Sequence, residues 1–136
     1  MHNQSSPPSF KSRGGIKRVF NAFKYSMKGL NAALKHEAAF RQECALALIL
    51  LPAAFWLGRN AIEIFLLCFT VVLVLILELI NSAIEALADA ISTDQNPLLG
   101  RAKDIGSAAV FLALCLLTLW WLYVIADRFW LSANIV

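Results

Sequence analysis

Three long apolar runs constrain what this chain can fold into more than any other feature. Residues 105–126 carry no charged side chain, and this run alone is long enough to cross a bilayer as a helix. Residues 45–57 and 64–77 are also uncharged, and each reaches spanning length once its semi-polar flanks are included. We therefore predict three transmembrane helices, at about residues 38–58, 61–90 and 103–127.

The composition excludes an ordinary soluble domain. Of the 136 residues, 60% are hydrophobic and only 15% are charged, whereas about a quarter of a typical globular domain is charged. A soluble chain of this size could not bury all three apolar runs in one core. The predicted fold class is therefore all-α and membrane-embedded, with a three-span domain over residues 36–136.

The distribution of basic residues predicts an orientation. Eight of the twelve Lys and Arg residues precede the first apolar run, and the cytoplasmic side of a membrane protein is the side enriched in such residues. The N-terminus and the loop before the third span are thus expected in the cytoplasm, and the first loop and the C-terminus outside. The eight basic residues are Lys11, Arg13, Lys17, Arg18, Lys24, Lys28, Lys35 and Arg41.

The N-terminal region differs from the rest of the chain. Residues 1–14 contain Pro, Gly and Ser and are predicted to be a disordered lead-in. Over residues 15–35, apolar side chains recur every three or four positions with lysines along their border, which is typical of an amphipathic helix lying in the membrane surface. The apolar stripe consists of Ile16, Val19, Phe20, Phe23, Met27, Leu30 and Leu34, and the lysines are Lys17, Lys24, Lys28 and Lys35.

The second predicted span carries polar side chains where lipid would exclude them. On a helical wheel they all fall within one face about 100° wide, while the opposite face stays apolar. A carboxylate inside a span is costly unless it is paired, hydrated or bound to a metal. The alignment therefore predicts a functional site. The residues of this polar face are Glu78, Asn81, Ser82, Glu85 and Asp89.

Three carboxylates in one row require cations. Magnesium is the natural choice, because one or two carboxylates hold it together with substrate phosphates. Glu37 and Arg41 are four residues apart, so they are expected on one helix face, where they could pair. The candidate basic partners are Arg18, Arg41, Arg101 and Lys103.

Missing motifs exclude several familiar sites. The chain has neither the phosphate loop G-x-x-x-x-G-K-[ST] nor the dinucleotide fingerprint G-x-G-x-x-G, and it lacks the H-R-D and D-F-G motifs of protein kinases. His2 and His36 are the only histidines, so a zinc site is not supported. The three cysteines are interpreted as packing residues, and no nucleic-acid partner is expected.

Four blocks of the sequence resemble the prokaryotic diacylglycerol kinase family. Residues 78–89, which read ELINSAIEALAD, are similar to its signature E-x-x-N-S-A-[IV]-E-x-x-x-D. Residues 25–30 resemble its Y-S-x-K-G-L surface helix, and residues 37–43 and 100–109 are similar to two further blocks. The resemblance extends over about residues 16–130.

The resemblance implies an assembly and an activity. Members of this family are homotrimers with active sites shared between subunits, in the bacterial inner membrane. They transfer the γ-phosphoryl group of MgATP to the primary hydroxyl of diacylglycerol, which gives phosphatidic acid. Glu78 matches the proposed general base, and Asn81 matches a residue that orients the site. Glu37 and Glu85 match the glutamates that hold Mg²⁺.

The resemblance also implies contacts to both substrates. Relatives often carry Glu-x-His in the loop before the third span, where this chain has Asp94-Gln95-Asn96. The implied nucleotide contacts are Arg18, Tyr25, Glu37, Glu85, Asp94, Gln95, Asn96, Lys103 and Asp104. The implied lipid contacts are Arg18, Ala39, Phe40, Arg41, Gln42, Glu43, Trp56, Glu78, Ser107 and Trp121.

Three alternatives remain open from the sequence. An undecaprenol kinase has the same fold and differs in the lipid that it phosphorylates. A small oligomeric transporter could use Glu78 to bind protons or cations, but it would not need Lys103 and Asp104 at the membrane surface. A purely structural trimer is a third possibility, because small residues spaced four apart in the second span allow close helix packing whichever function is right.

Overall fold

A computed structural model describes residues 15–92, 94 and 96–131. The predicted lead-in over residues 1–14 and the predicted nucleotide contact Gln95 lie outside the described residues. The chain divides into two compact units, with the boundary between Ala32 and Ala33.

The described part of the first unit belongs to one helix. Helix α1 covers Gly15–His36, so the helix predicted over residues 15–35 is present. Its large apolar side chains are exposed, among them Ile16 and Phe20, and Lys28 lies over the ring of Tyr25, with 5.9 Å between its Nζ and the ring centroid. Its placement in a membrane surface stays a prediction.

Three further helices are long and apolar enough to cross a membrane. This confirms an all-helical fold with three helices of spanning length. A π-helical turn over Asp127–Leu131 follows the last of them. The three are α2 over Ala38–Leu57, α3 over Ala61–Ile91 and α4 over Pro97–Ala126.

Asparagine side chains set the start of two helices. The Oδ1 atom of Asn60 accepts hydrogen bonds from the backbone N–H groups of Ile62 and Glu63, at 3.1 and 2.9 Å. Asn96 caps α4 in the same way, through the N–H of Leu98 at 2.9 Å, and Pro97 follows in the first turn, where its missing N–H is not needed. Helix α4 therefore begins at Pro97, earlier than the predicted start of the third span at residue 103.

The short connection over residues 58–60 makes α2 and α3 antiparallel neighbours. Helix α3 also packs along α4. Small residues on α2 allow it to approach its neighbours closely. The indole of Trp121 on α4 is buried in the same core. The core cluster consists of Ala47, Ala54, Leu57, Leu67, Val71, Trp121 and Val124.

A cluster of polar side chains joins the α2–α3 connection to the end of α4. Arg59 forms ion pairs with Glu63, at 3.9 Å from Nε, and with Asp127. Its backbone N–H donates to Glu63 Oε2 at 2.9 Å, and Asn60 Nδ2 donates to Glu63 Oε1 at 3.1 Å. We call these four residues the Arg59 cluster. They tie together chain segments that lie far apart in sequence.

Much of the outer surface of α2, α3 and α4 is apolar. Leu48, Phe55, Phe65, Phe111 and Leu119 all expose most of their side chains. A contiguous apolar surface of this kind needs lipid or a neighbouring chain to cover it. The helices therefore supply a narrow internal core and a broad surface suited to an apolar environment.

Candidate active site

The polar face of α3 is buried over its N-terminal half and becomes exposed toward Asp89. Glu78 is 6% exposed, and Asn81 and Ser82 are each 8% exposed. Thr70 is also buried, but its hydroxyl donates to the Leu67 carbonyl at 2.9 Å, so its own helix satisfies it. A carboxylate in such surroundings loses hydration that the helix backbone cannot replace. Burying Glu78 in its charged form therefore costs free energy unless the site supplies a partner.

Asn81 links two parts of the polar face. Its Nδ2 donates to Glu85 Oε1 at 3.0 Å, across one helical turn. Its Oδ1 is buried and has no hydrogen-bond partner within the described structure. One end of the amide thus fixes a glutamate, and the other end is a buried acceptor enclosed between α3 and α4.

Helix α4 approaches this amide closely because residue 106 is glycine. A Cβ atom at Gly106 would lie 2.5 Å from Asn81 Oδ1 and 3.6 Å from a side-chain carbon of Ile84. Gly106 itself is buried. The glycine therefore leaves space for the Asn81 side chain between the two helices.

Glu43 on α2 contributes a further carboxylate. Its Oε2 atom is buried without a hydrogen-bond partner among the described residues, and its charge acts on that of Glu78. It lines a small internal cavity whose other walls are apolar, including Val74 and Leu114. The family resemblance implies Glu43 as a lipid contact. In the structure it is close enough to Glu78, the implied general base, for the two charges to repel.

The carboxylates on α3 and at the start of α2 form one electrostatic group. The charges of Glu85 and Glu37 both act on Glu78. Like charges in apolar surroundings repel strongly unless a cation compensates them. In the described part of the chain, no three His, Cys, Asp or Glu side chains are arranged to hold a metal ion by themselves. This donor set fits a divalent cation that brings phosphate oxygens as its other ligands.

An ion pair joins α3 and α4 where the chain connects them. Lys103 Nζ lies 2.9 Å from Asp89 Oδ1, and the charge of Glu85 also acts on this lysine. The pair borders an open cavity of about 460 Å³. The lining residues are Ala88, Asp89, Ser92, Asp94, Asn96, Pro97, Leu99, Gly100 and Lys103. Three of the implied nucleotide contacts, Asp94, Asn96 and Lys103, therefore line one cavity.

Arg41 does not pair with Glu37 in the described structure. Its Nη1 donates instead to the backbone carbonyls of Leu34 and Lys35, at 3.4 and 3.3 Å. These carbonyls lie in the last turns of α1, where the backbone acceptors lack partners within the helix. The pair that the spacing of Glu37 and Arg41 allows is therefore not formed in this structure.

The remaining implied contacts fall into two groups by exposure. Phe40, in the first turn of α2, is buried, whereas others among them are exposed. Their roles toward substrates stay predictions. The exposed ones are Ala39, Gln42, Asp104 and Ser107, together with Arg18 and Tyr25 on α1.

Two tryptophans implied as lipid contacts lie away from Glu78. Trp56 packs against Phe129 beside the Arg59 cluster, with 6.1 Å between ring centroids. Trp121 is buried in the core cluster with Leu67, which precedes Glu78 by three turns of helix, or about 16 Å. The structure does not bring either indole to the polar face, so a contact with the lipid would have to involve its acyl chains.

Two features of the site were not fixed by the sequence. Lys103 was a candidate partner of the carboxylates, but its pairing with Asp89 in particular depends on where α4 starts, and the signal for that start is the Asn96-Pro97 dipeptide. The approach of α4 to Asn81 depends on Gly106, a buried glycine inside a helix, where glycine is usually disfavoured. A glycine at such a position is itself a sign of close packing.

Comparison with known proteins identifies the family. Residues 24–125 match the family described as prokaryotic diacylglycerol kinase. The chain belongs to this family. The predicted family is thereby confirmed, and the matched segment contains the polar face, Glu43, Gly106 and Lys103.

Individual relatives cover most of the chain. A protein of Haemophilus influenzae named diacylglycerol kinase is 51% identical over 107 residues, which are 79% of this chain and 91% of that protein. Proteins of the same name from Pseudomonas aeruginosa and Escherichia coli K12 are 47% and 45% identical, and each alignment covers 85% of this chain and 94% of the relative. The likeness therefore extends over nearly the full length of these relatives.

Proposed function

We propose that this chain is an ATP-dependent lipid kinase that transfers the γ-phosphoryl group of MgATP to the primary hydroxyl of diacylglycerol, giving phosphatidic acid. Family membership and the diacylglycerol kinases to which it is similar support this assignment. The observation that carries it is the buried carboxylate of Glu78 on the polar face of α3. A lipid hydroxyl is the kind of group that such a carboxylate can bind and deprotonate.

Glu78 acts as the general base in this proposal. The lipid hydroxyl oxygen attacks the γ-phosphorus, the bond from that phosphorus to the β,γ-bridging oxygen breaks, and the hydroxyl proton passes to the Glu78 carboxylate. Asn81 orients the site, because its Nδ2 holds Glu85. Burial keeps water, a competing acceptor of the phosphoryl group, away from the base.

Magnesium belongs to the nucleotide substrate in this proposal. Glu37 and Glu85 would hold it, and it would neutralise phosphate charge during transfer. The electrostatic grouping of both glutamates with Glu78 supports that arrangement. Lys103 supplies a second positive charge for the phosphates, at the cavity between α3 and α4.

The membrane setting and the assembly are further parts of the proposal. We propose insertion in the bacterial inner membrane with the N-terminus in the cytoplasm and the C-terminus outside, which the excess of Lys and Arg before α2 supports. The amphipathic α1 would then lie in the cytoplasmic membrane surface. A homotrimer belongs to the same proposal, since the exposed apolar side chains of α2 to α4 need lipid or a neighbouring chain to cover them, and native mass spectrometry of the active form tests it.

The decisive assay offers the purified chain two lipids. Mixed micelles containing diacylglycerol or undecaprenol are incubated with radiolabelled ATP, with and without Mg²⁺, beside Glu78→Gln. Magnesium-dependent phosphatidic acid that disappears in the variant is the expected result. Product from undecaprenol alone would assign the other lipid, and no product from either would overturn the kinase assignment.

A further inference from the structure

The ion pair between Asp89 and Lys103 has a geometry that stability does not explain. The Asp89 side chain is 64% exposed and that of Lys103 is 37% exposed, and pairs this open to solvent contribute little to folding. Asp89 also lies in the last turn of α3, two residues before Ile91. A negative charge there is unfavourable, because the helix C-terminus already carries partial negative charge.

The pair does fix the position of an ammonium group. A lysine has four rotatable side-chain bonds and three N–H donors, so a single strong acceptor restricts its rotamers without using all of its donors. Asp89 Oδ1 accepts from Lys103 Nζ at 2.9 Å. The charge of Glu85 reaches the same ammonium, and the open cavity lies beside it. The ammonium is thus held next to a proposed metal ligand, with donors left for phosphate oxygens.

We infer that Asp89 is a positioning residue for ATP, which holds the Lys103 ammonium toward the phosphates through the 2.9 Å contact between α3 and α4. Without Asp89, the lysine samples many rotamers, and binding of the nucleotide has to order it. This role rests on the proposed kinase function and assigns Asp89 no contact with the reacting atoms.

The test compares three variants of the full-length protein. In Asp89→Asn the KM for ATP is expected to rise about tenfold, because the entropy of ordering Lys103 then opposes binding, while kcat changes by less than about twofold. The KM for diacylglycerol stays unchanged. Asp89→Glu retains the acceptor charge and recovers most of the loss. Asp127→Asn, which removes the carboxylate of another partly exposed ion pair, leaves the KM for ATP unchanged and serves as the matched control.

A double-mutant cycle isolates the contact itself. In a Lys103→Met background, Asp89→Asn is expected to cost nothing further, because the side chain that it positions is gone. Independent losses that multiply in the double variant would overturn the inference. So would a KM for ATP that is unchanged in Asp89→Asn, or a glutamate variant no better than the asparagine variant.

Titration with MgADP separates this inference from the proposed function. The affinity for MgADP is expected to fall in Asp89→Asn and to be largely restored in Asp89→Glu, whether or not the chain turns over diacylglycerol. A wild-type protein that makes no phosphatidic acid contradicts the kinase assignment alone. Equal affinity of wild type and Asp89→Asn for MgADP contradicts the role of Asp89 alone.

Discussion

The Arg59 cluster and the polar face of α3 use the same kinds of side chain in opposite ways. In the Arg59 cluster, every named carboxylate pairs with the arginine, and Asn60 both caps α3 and donates to Glu63. On the polar face, Glu78 is more deeply buried than any member of that cluster, and the Oδ1 atom of its neighbour Asn81 has no partner in the described structure. The more deeply buried polar groups, those of the polar face, thus have fewer hydrogen-bond and ion-pair partners than the more exposed groups of the Arg59 cluster.

This difference separates polar groups that stabilise the fold from those that serve the site. A buried polar atom without a partner costs roughly 1–3 kcal/mol, and a substrate or a cation is one way to supply the partner of a buried carboxylate. The indole N–H groups of Trp120 and Trp121 are also buried without a described partner. They carry no charge, so leaving them without a hydrogen bond costs less free energy than it does for a carboxylate. The carboxylates of Glu43 and Glu78 mark the site more strongly.

The largest expected effect comes from removing the base. Glu78→Gln keeps the size and polarity of the side chain but cannot accept the hydroxyl proton, so turnover should fall about a thousandfold. The radiolabel assay measures it, with Glu63→Gln as a matched control in the Arg59 cluster. Near-normal turnover in Glu78→Gln would show that the burial of this carboxylate has no catalytic purpose.

A smaller effect is expected from the glutamate that Asn81 holds. Glu85→Gln removes one proposed ligand of the magnesium that ATP carries, so the Mg²⁺ concentration for half-maximal rate should rise about tenfold. Activity should recover at high Mg²⁺. A magnesium dependence identical to that of the wild type would remove Glu85 from the metal site.

The space beside Asn81 gives a third test. In Gly106→Ala the new methyl group collides with Asn81 Oδ1, which lies at the end of a flexible side chain and can rotate away. We expect a loss of turnover of about tenfold with a change in stability below about 1 kcal/mol, because the amide leaves Glu85 while the helices stay packed. Gly29→Ala is the control, since a Cβ there meets nothing within 4 Å.

If Gly106→Ala instead destabilised the protein strongly and lost activity only in proportion to unfolding, Gly106 would be a packing residue with no specific relation to the site. Thermal unfolding in detergent, followed by circular dichroism beside the kinase assay, makes this distinction.

The smallest effect is expected in the Arg59 cluster. Asp127→Asn breaks one partly exposed ion pair, so the free energy of unfolding should fall by no more than about 1 kcal/mol while turnover remains unchanged. Chemical unfolding monitored by circular dichroism measures the difference. A loss of turnover in the folded variant would remove the distinction between the two polar regions.

The sequence predicted the helices better than the contacts between them. The three uncharged runs identified α2, α3 and α4, and the 100° period placed Glu78, Asn81 and Glu85 on one face. Hydropathy does not mark helix caps, so the predicted third span did not give the start of α4, which begins at Pro97. Lys103 was among the candidate partners of the carboxylates, but which of them it pairs with depends on that start, because it sets the register of α4 against α3. The burial of Trp121 away from Glu78 could not be predicted either, because it depends on the same register.

The paired stability and turnover of Glu78→Gln and Asp127→Asn test the central distinction most directly. Both variants are unfolded by heat in the same micelles in which their kinase activity is measured. We expect Glu78→Gln to lose turnover with an unfolding midpoint no lower than that of the wild type, because a neutral amide costs less to bury than a carboxylate. Asp127→Asn should keep turnover and unfold at a lower temperature. A lowered midpoint in Glu78→Gln with turnover retained would mean that the buried carboxylate serves the fold, and would contradict the account.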